Sequence, residues 1–207
     1  MPVVAVANPK GGVGKSTLAT NIAGYWASRG HAVALGDIDR QQSARLWLQQ
    51  RPESAAPIAL WDARPDWLGQ PPRGSTHAVL DTPAGLQGWR LNDVLRQADR
   101  IVIPLQPSVF DMFATREFLN DLAQQLERDP ARVGIIGTRV DERTIAAEHL
   151  REFIDGLGFT RLGTLRNAQN YVHLAAQGLT LFDVGPSRVR RDLEQWQTLC
   201  QWLDEVG

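Results

Sequence analysis

The segment Pro9-Lys10-Gly11-Gly12-Val13-Gly14-Lys15-Ser16-Thr17 gathers three glycines, two lysines and two hydroxyls. Glycine tolerates the backbone conformations that turn successive N–H groups inward, and such a nest of amides holds phosphate oxygens. Lys15 can reach the outer phosphates of a nucleotide, and the Ser16 hydroxyl can ligate Mg²⁺. Two further segments end apolar runs in carboxylates. In Gly36-Asp37-Ile38-Asp39-Arg40-Gln41-Gln42 the two aspartates stand two apart, so on a strand they share a direction. Either could instead cap the next helix. Ala78-Val79-Leu80-Asp81 closes a buried-type strand with Asp81, a candidate to hold Mg²⁺ directly or through water.

These groups need a scaffold that brings strand ends together. Short apolar runs predict strands over 3–7, 32–37, 58–61, 78–81, 101–105, 133–138 and 162–165. Longer amphipathic stretches predict helices over 16–29, closed by Gly30, and over 43–50, 111–128, 145–157, 168–177 and 188–206. Residues 64–75 hold three prolines and two glycines and read as a loop. Residues 82–88 contain Pro83, Gly85 and Gly88 and suit a switch that senses a terminal phosphate, with Trp89 beside it as a reporter. Strands without polar alternation, spaced by helices, give an α/β fold: a doubly wound, mostly parallel sheet with helices on both faces. One domain is expected over 1–207. Ligands then sit beyond the carboxyl ends of the strands, where the glycine loop and the aspartates lie.

The phosphate loop departs from the strict pattern, because Pro9 stands where the first glycine belongs and Lys10 follows it. Lys10-Gly11-Gly12-Val13-Gly14-Lys15-Ser16 resembles the deviant Walker A motif of the ParA/MinD family. The segment 36–42 resembles the Walker A′ motif of that family, with Arg40 in place of the usual proline, and 78–85 looks like its Walker B segment. Ile103-Pro104-Leu105-Gln106-Pro107-Ser108, then Phe110-Asp111 and residues 114–117, resemble a segment of small ParA proteins. So does the stretch 166–182 with Tyr171, Ala175, Ala176 and Gly178. Only 50–75 and the last turn lie outside the likeness.

The resemblance implies an ATPase that uses ATP and Mg²⁺. By that likeness the loop from Lys10 through Gly11, Gly12, Val13, Gly14, Lys15, Ser16 and Thr17 grips the nucleotide, and Arg139 and Asp141 approach its adenine. Ser16, Asp37 and Asp81 surround the metal. Lys15 and Asp39 are catalytic, with Asp39 orienting the attacking water. Lys10 is catalytic too, reaching across an ATP-dependent homodimer to the nucleotide of the other copy; it could instead pair with a local carboxylate. The family further implies sequence-neutral DNA binding and a ParB-like or other adaptor that stimulates hydrolysis. Its work is plasmid or chromosome partition, or the positioning of a cellular cargo. Arg188, Arg190 and Arg191 form the densest basic cluster and are the candidates for DNA phosphates, or else the solvated start of a helix. A cytoplasmic, nucleoid-associated protein of the compact ParA kind, with no module ahead of the phosphate loop, is the expectation.

Composition agrees with a soluble globular chain: 43% hydrophobic and 22% charged, with a formal net charge of −1. A single cysteine, Cys200, forms no internal disulfide and argues against an iron–sulfur carrier. The four histidines are scattered and suggest no metal site. No run reaches the roughly 20 apolar residues of a membrane span. The last helix carries Leu193, Trp196, Leu199, Cys200 and Leu203 on one side. Its acidic residues Asp192, Glu194, Asp204 and Glu205 favour core packing over a MinD-like membrane surface role. A P-loop metabolic enzyme is the remaining rival; a small-molecule kinase would have no use for Lys10.

Overall fold

A computed structural model describes residues 1–125 and 132–205. Seven strands form one sheet: β1 (Val3–Val6), β2 (Val33–Asp37), β3 (Ile58–Trp61), β4 (His77–Asp81), β5 (Arg100–Leu105), β6 (Val133–Val140) and β7 (Thr160–Arg166). Their order is β3-β2-β4-β1-β5-β6-β7, and every pairing is parallel. Parallel strands need crossovers, and the helices that provide them cover both faces. Val4 and Val6 of β1 face a core closed by α1 (Lys15–Ser28), α2 (Ser43–Gln49), α6 (Gln169–Ala175) and α7 (Pro186–Asp204). Ala5 and Ala7 face the opposite way, into a core closed by α3 (Gly88–Gln97), α4 (Val109–Gln125) and α5 (Ile145–Asp155). The alternation of side chains along a strand therefore splits one apolar run between two cores.

The doubly wound α/β expectation is what the chain adopts. The differences are local. The expected helix over 111–128 starts earlier, at Val109, and its stretch beyond 125 lies outside the described residues, as does residue 206 of the last helix. The helix α3 has no counterpart among the helices expected from sequence. Its signal is present: Leu91, Val94, Leu95 and Ala98 recur at helical spacing and are all buried. The turn residues of 82–88 mask its start. Within 64–75 the chain makes only an isolated bridge between Arg64 and Trp67. In α7, Pro186 occupies the first turn and Val189 leaves helical geometry, with φ −127° and ψ 18°. Trp196, Leu199 and Leu203 of α7 are buried against the sheet, so its apolar stripe is used in the core. Among the described residues no helix is long and apolar enough to cross a membrane.

At the amino ends of β2 and β4 the His77 ring packs at a tilt against Trp26 and His31, with centroids 4.6 and 4.0 Å away. Burial, reinforced by His31, lowers the His77 pKa from 6.5 to about 4; Asp204 opposes the shift. The unfolded chain therefore takes up this proton first as pH falls, and stability is lost between about 6.5 and about 4. His77→Phe keeps the ring contact without the titration. Its urea midpoint should show a shallower decline than wild type across that window.

Candidate functional site

The sheet order reverses around β1, which has β4 on one side and β5 on the other. Crevices form at such switch points, beyond the carboxyl ends. Register brings the motifs level there: Val6 pairs with Asp81, and Asp37 pairs with Asp81. The glycine loop leaves β1 and enters α1.

Long-range bonds hold the loop open. Asn8 Nδ2 donates to Pro104 O at 2.7 Å and to Thr115 Oγ1 at 3.1 Å, while its Oδ1 accepts from Lys10 N at 2.8 Å. The loop carbonyls are drawn outward. Gly85 N donates to Pro9 O (3.0 Å), Lys15 Nζ to Lys10 O (2.8 Å), Gln106 Nε2 to Gly12 O (2.8 Å) and Thr138 Oγ1 to Val13 O (2.9 Å). The amides of residues 11–17 are left without a protein acceptor among the described residues. Gly12 and Gly14 have φ of 75° and 96°, which only glycine adopts without strain. Gly14 also caps α1 with no side chain to satisfy the first turn. An orphaned helix start of this kind binds an anion.

Lys15, Asp81 and the Ser16 hydroxyl come together beneath the loop. Lys15 is only 7% exposed, and burial lowers its pKa against the pull of Asp81 and Asp39. Asp81 is 1% exposed, and neither carboxylate oxygen accepts a hydrogen bond. Burial pushes its pKa up to about 8, although the Ser16 hydroxyl and Lys15 lie near enough to oppose the rise. A buried carboxylate with both oxygens unused is costly unless a cation completes it. Asp81 and the Ser16 hydroxyl are the hard oxygen donors Mg²⁺ requires, so the residues fit that ion.

Asp37 is used otherwise. Its Oδ1 accepts from Asp39 N at 2.9 Å, and its Oδ2 from Ala44 N and Arg45 N at 2.9 and 3.2 Å. It thus caps α2, whose own N-cap residue Gln42 sits at φ 50° and makes no side-chain bond. Of the two uses open to the aspartates from sequence, Asp37 shows the cap. Asp39 is half-buried in the cleft wall, and its Oδ1 accepts from Gln41 N at 2.9 Å.

The cleft has a volume of about 980 Å³ and runs from the loop residues Gly11, Gly12, Gly14, Lys15, Ser16 and Thr17 to Asp39 and the segment 83–87. Trp89 and Arg90, on the unexpected helix α3, complete its rim. A second cavity of about 350 Å³ lies on the other side of Gly14 and Thr17, against Val13, Leu165, Tyr171 and Val172. Arg139, in left-handed geometry at φ 54°, borders both spaces. Asp141 borders neither; it is exposed and holds Arg143 at 3.0 Å. Arg188, Arg190 and Arg191 are exposed on the first turns of α7, with Arg190 3.8 Å from Glu194. Sequence reasoning missed Asn8, Gln106 and Thr138 as braces of the loop. Gln106 directly follows β5 and Thr138 stands two residues before the end of β6, so both lie toward the ligand edge, which was the available signal.

A parallel sheet with an amide-lined glycine loop at its switch point defines a P-loop nucleotide-binding protein. The CobQ/CobB/MinD/ParA nucleotide binding domain model matches residues 4–181, and the chain belongs to that family. It is a ParA/MinD-type ATPase. "Maintenance of carboxysome distribution protein A" of Halothiobacillus neapolitanus is 26% identical over 191 residues, covering 88% of this chain and 87% of that protein. "Chromosome-partitioning ATPase Soj" of Thermus thermophilus is 29% identical over 182 residues, covering 71% of this chain and 73% of that one. Among solved structures, a plasmid partition protein of Borrelia burgdorferi bound to AMPPNP superposes with a TM-score of 0.75. It is 18% identical, with 97% of this chain and 98% of that one covered, a likeness of fold.

Proposed function

We propose that the chain is an ATP-driven switch that pairs two copies over bound nucleotide, binds DNA without sequence preference, and partitions DNA or positions a cellular cargo. Mg²⁺ held by Ser16 and Asp81 would offset phosphate charge. Asp39, reaching the same cleft, orients the attacking water, and stimulation of hydrolysis by an adaptor protein resets the switch. Asp37 shapes this site by fixing the start of α2. The exposed arginines Arg188, Arg190 and Arg191 contact DNA phosphates, which makes binding salt-dependent and places the protein on the nucleoid in the cytoplasm. The relatives named for carboxysome distribution and chromosome partition support both kinds of cargo.

The single observation that carries the pairing is the contrast between the two loop lysines. Lys15 is buried under the loop, whereas Lys10 is half-exposed at its start and has no carboxylate partner among the described residues. An unpaired cation beside an anion site is free to meet the triphosphate of a facing copy. In analytical ultracentrifugation with Mg-ATP, wild type should sediment as a dimer. Lys10→Ala should stay monomeric while binding ATP with unchanged affinity. A Lys10→Ala protein that still dimerises on ATP would remove the cross-subunit role, and co-sedimentation with liposomes but not DNA would remove the DNA reading.

A further inference from the structure

Two arginines line the phosphate cleft without a use in the site described so far: Arg40, on the segment after β2, and Arg90, on α3 after β4. The two strands are neighbours, with Asp37 level with Asp81, and Ile38 N donates to Asp81 O at 3.1 Å. The segments that follow them therefore leave the sheet side by side. The bond from Gly85 N to Pro9 O, at 3.0 Å, ties the second segment to the start of the glycine loop. Buried Leu86 anchors it to the core just before α3 begins.

Neither guanidinium has a protein acceptor among the described residues. Arg40 is exposed, and it stands where the segment it resembles carries proline, which has no donor to offer. Arg90 is half-buried, with its Cζ 5.3 Å from the centroid of the Trp89 ring. That contact holds the guanidinium without neutralising it. Of the carboxylates on neighbouring segments, Asp93 is held by Arg96 at 2.5 Å and Asp62 by Arg64 at 2.9 Å. Asp39 and Asp66 form no ion pair with either arginine. Arg90 also lies in the first turn of α3, which contains no acidic residue and no side-chain cap. The helix dipole disfavours a cation there unless an anion lies against it.

The nucleotide proposed for this cleft supplies that anion. Its terminal phosphoryl group lies between Lys15 and the water that Asp39 orients, and Arg40 is the residue next to Asp39. Arginine's planar fork meets phosphate oxygens in pairs, which a lysine ammonium does not do. We propose that Arg40 and Arg90 donate to the terminal phosphate of the ATP held by their own copy, so that the cleft distinguishes ATP from ADP before a second copy arrives. The assignment rests on the ATP-switch reading and is separate from Lys10, which acts across the pair.

The test titrates ATP and ADP, each with Mg²⁺, calorimetrically into the whole protein. Arg90→Gln and Arg40→Gln should each weaken ATP about tenfold or more, the loss expected for hydrogen bonds to a charged group, and leave ADP unchanged. Arg90→Lys, which keeps the charge and loses the fork, should recover part of the loss. The same selective loss should appear when Lys10→Ala is also present, because the contact lies within one copy. Circular dichroism melts confirm that each variant compared is folded. Unchanged ATP affinity in either variant removes that arginine from the assignment, and equal losses for ATP and ADP would overturn it. A loss that vanishes in the Lys10→Ala background would overturn it too, by giving the arginines to the facing copy. Wild type binding neither nucleotide is a distinct result, which removes the ATP reading itself and this assignment with it.

Discussion

Lys15→Ala is expected to weaken ATP binding by about 100-fold or more, the scale set by deleting one member of a buried charge pair. The side chain is 7% exposed, and its Nζ bonds to Lys10 O across the loop it closes. It supplies the cation beneath the phosphate amides, and Asp81 and Asp39 oppose the lowering of its pKa by burial. Water in its place would supply dipoles where a full charge is needed. The substitution also removes one of the opposing influences on the Asp81 pKa, which leaves that carboxyl poorer as a cation ligand. Calorimetry with ATP, alongside a melt showing the variant folded, reads the effect. Retention of ATP affinity within a few-fold would mean that the loop is not the phosphate cradle. Lys10→Ala, whose ammonium stands outside that buried pair, should keep its affinity, so the two lysines separate binding from pairing.

Asp39→Asn is expected to lower the rate of ATP hydrolysis by about 10²–10⁴-fold, the span attributed to a positioned proton acceptor. Asn keeps a carbonyl oxygen for the Gln41 N–H that Asp39 Oδ1 now satisfies at 2.9 Å, so the local turn survives. What it loses is the negative charge that faces the cleft. Because a loose phosphoryl-transfer transition state depends on a well-held water, ATP affinity and ATP-dependent pairing should persist while turnover stops. The variant should accumulate as the ATP-bound dimer in ultracentrifugation. Hydrolysis at the wild-type rate would transfer the role elsewhere. Asp37 is the weaker candidate, because both its oxygens already serve the Asp39, Ala44 and Arg45 amides.

Local chemistry made much of this protein legible in its amino-acid order. The run from Lys10 to Thr17 dictates a turn whose glycines admit positive φ, directly between a strand and a helix, and that context needs no long-range information. Apolar strands spaced by helices likewise dictate a parallel, doubly covered sheet, because only covered faces accommodate such strands. The likeness to the ParA/MinD family rested on the same short segments. Tertiary structure decided which polar atoms were left over. Asp37 and Asp39 look equivalent two residues apart, and the arrival of the α2 amides made one a cap and kept the other in the cleft wall. Gln106 and Thr138 brace carbonyls of Gly12 and Val13, 94 and 125 residues away, and no local pattern announces such a bond. The smaller cavity draws on the glycine loop, α1, β6, β7 and α6, and its Arg166 pairs with Asp192 of α7 only after those elements dock. Asp141 obeys the same logic in reverse. The family likeness put it near an adenine, whereas in the structure it is bonded to Arg143 and lines neither cavity. A sequence specifies donors, acceptors and turns one segment at a time, but the free valences that make a site are what remains after distant segments have satisfied the rest.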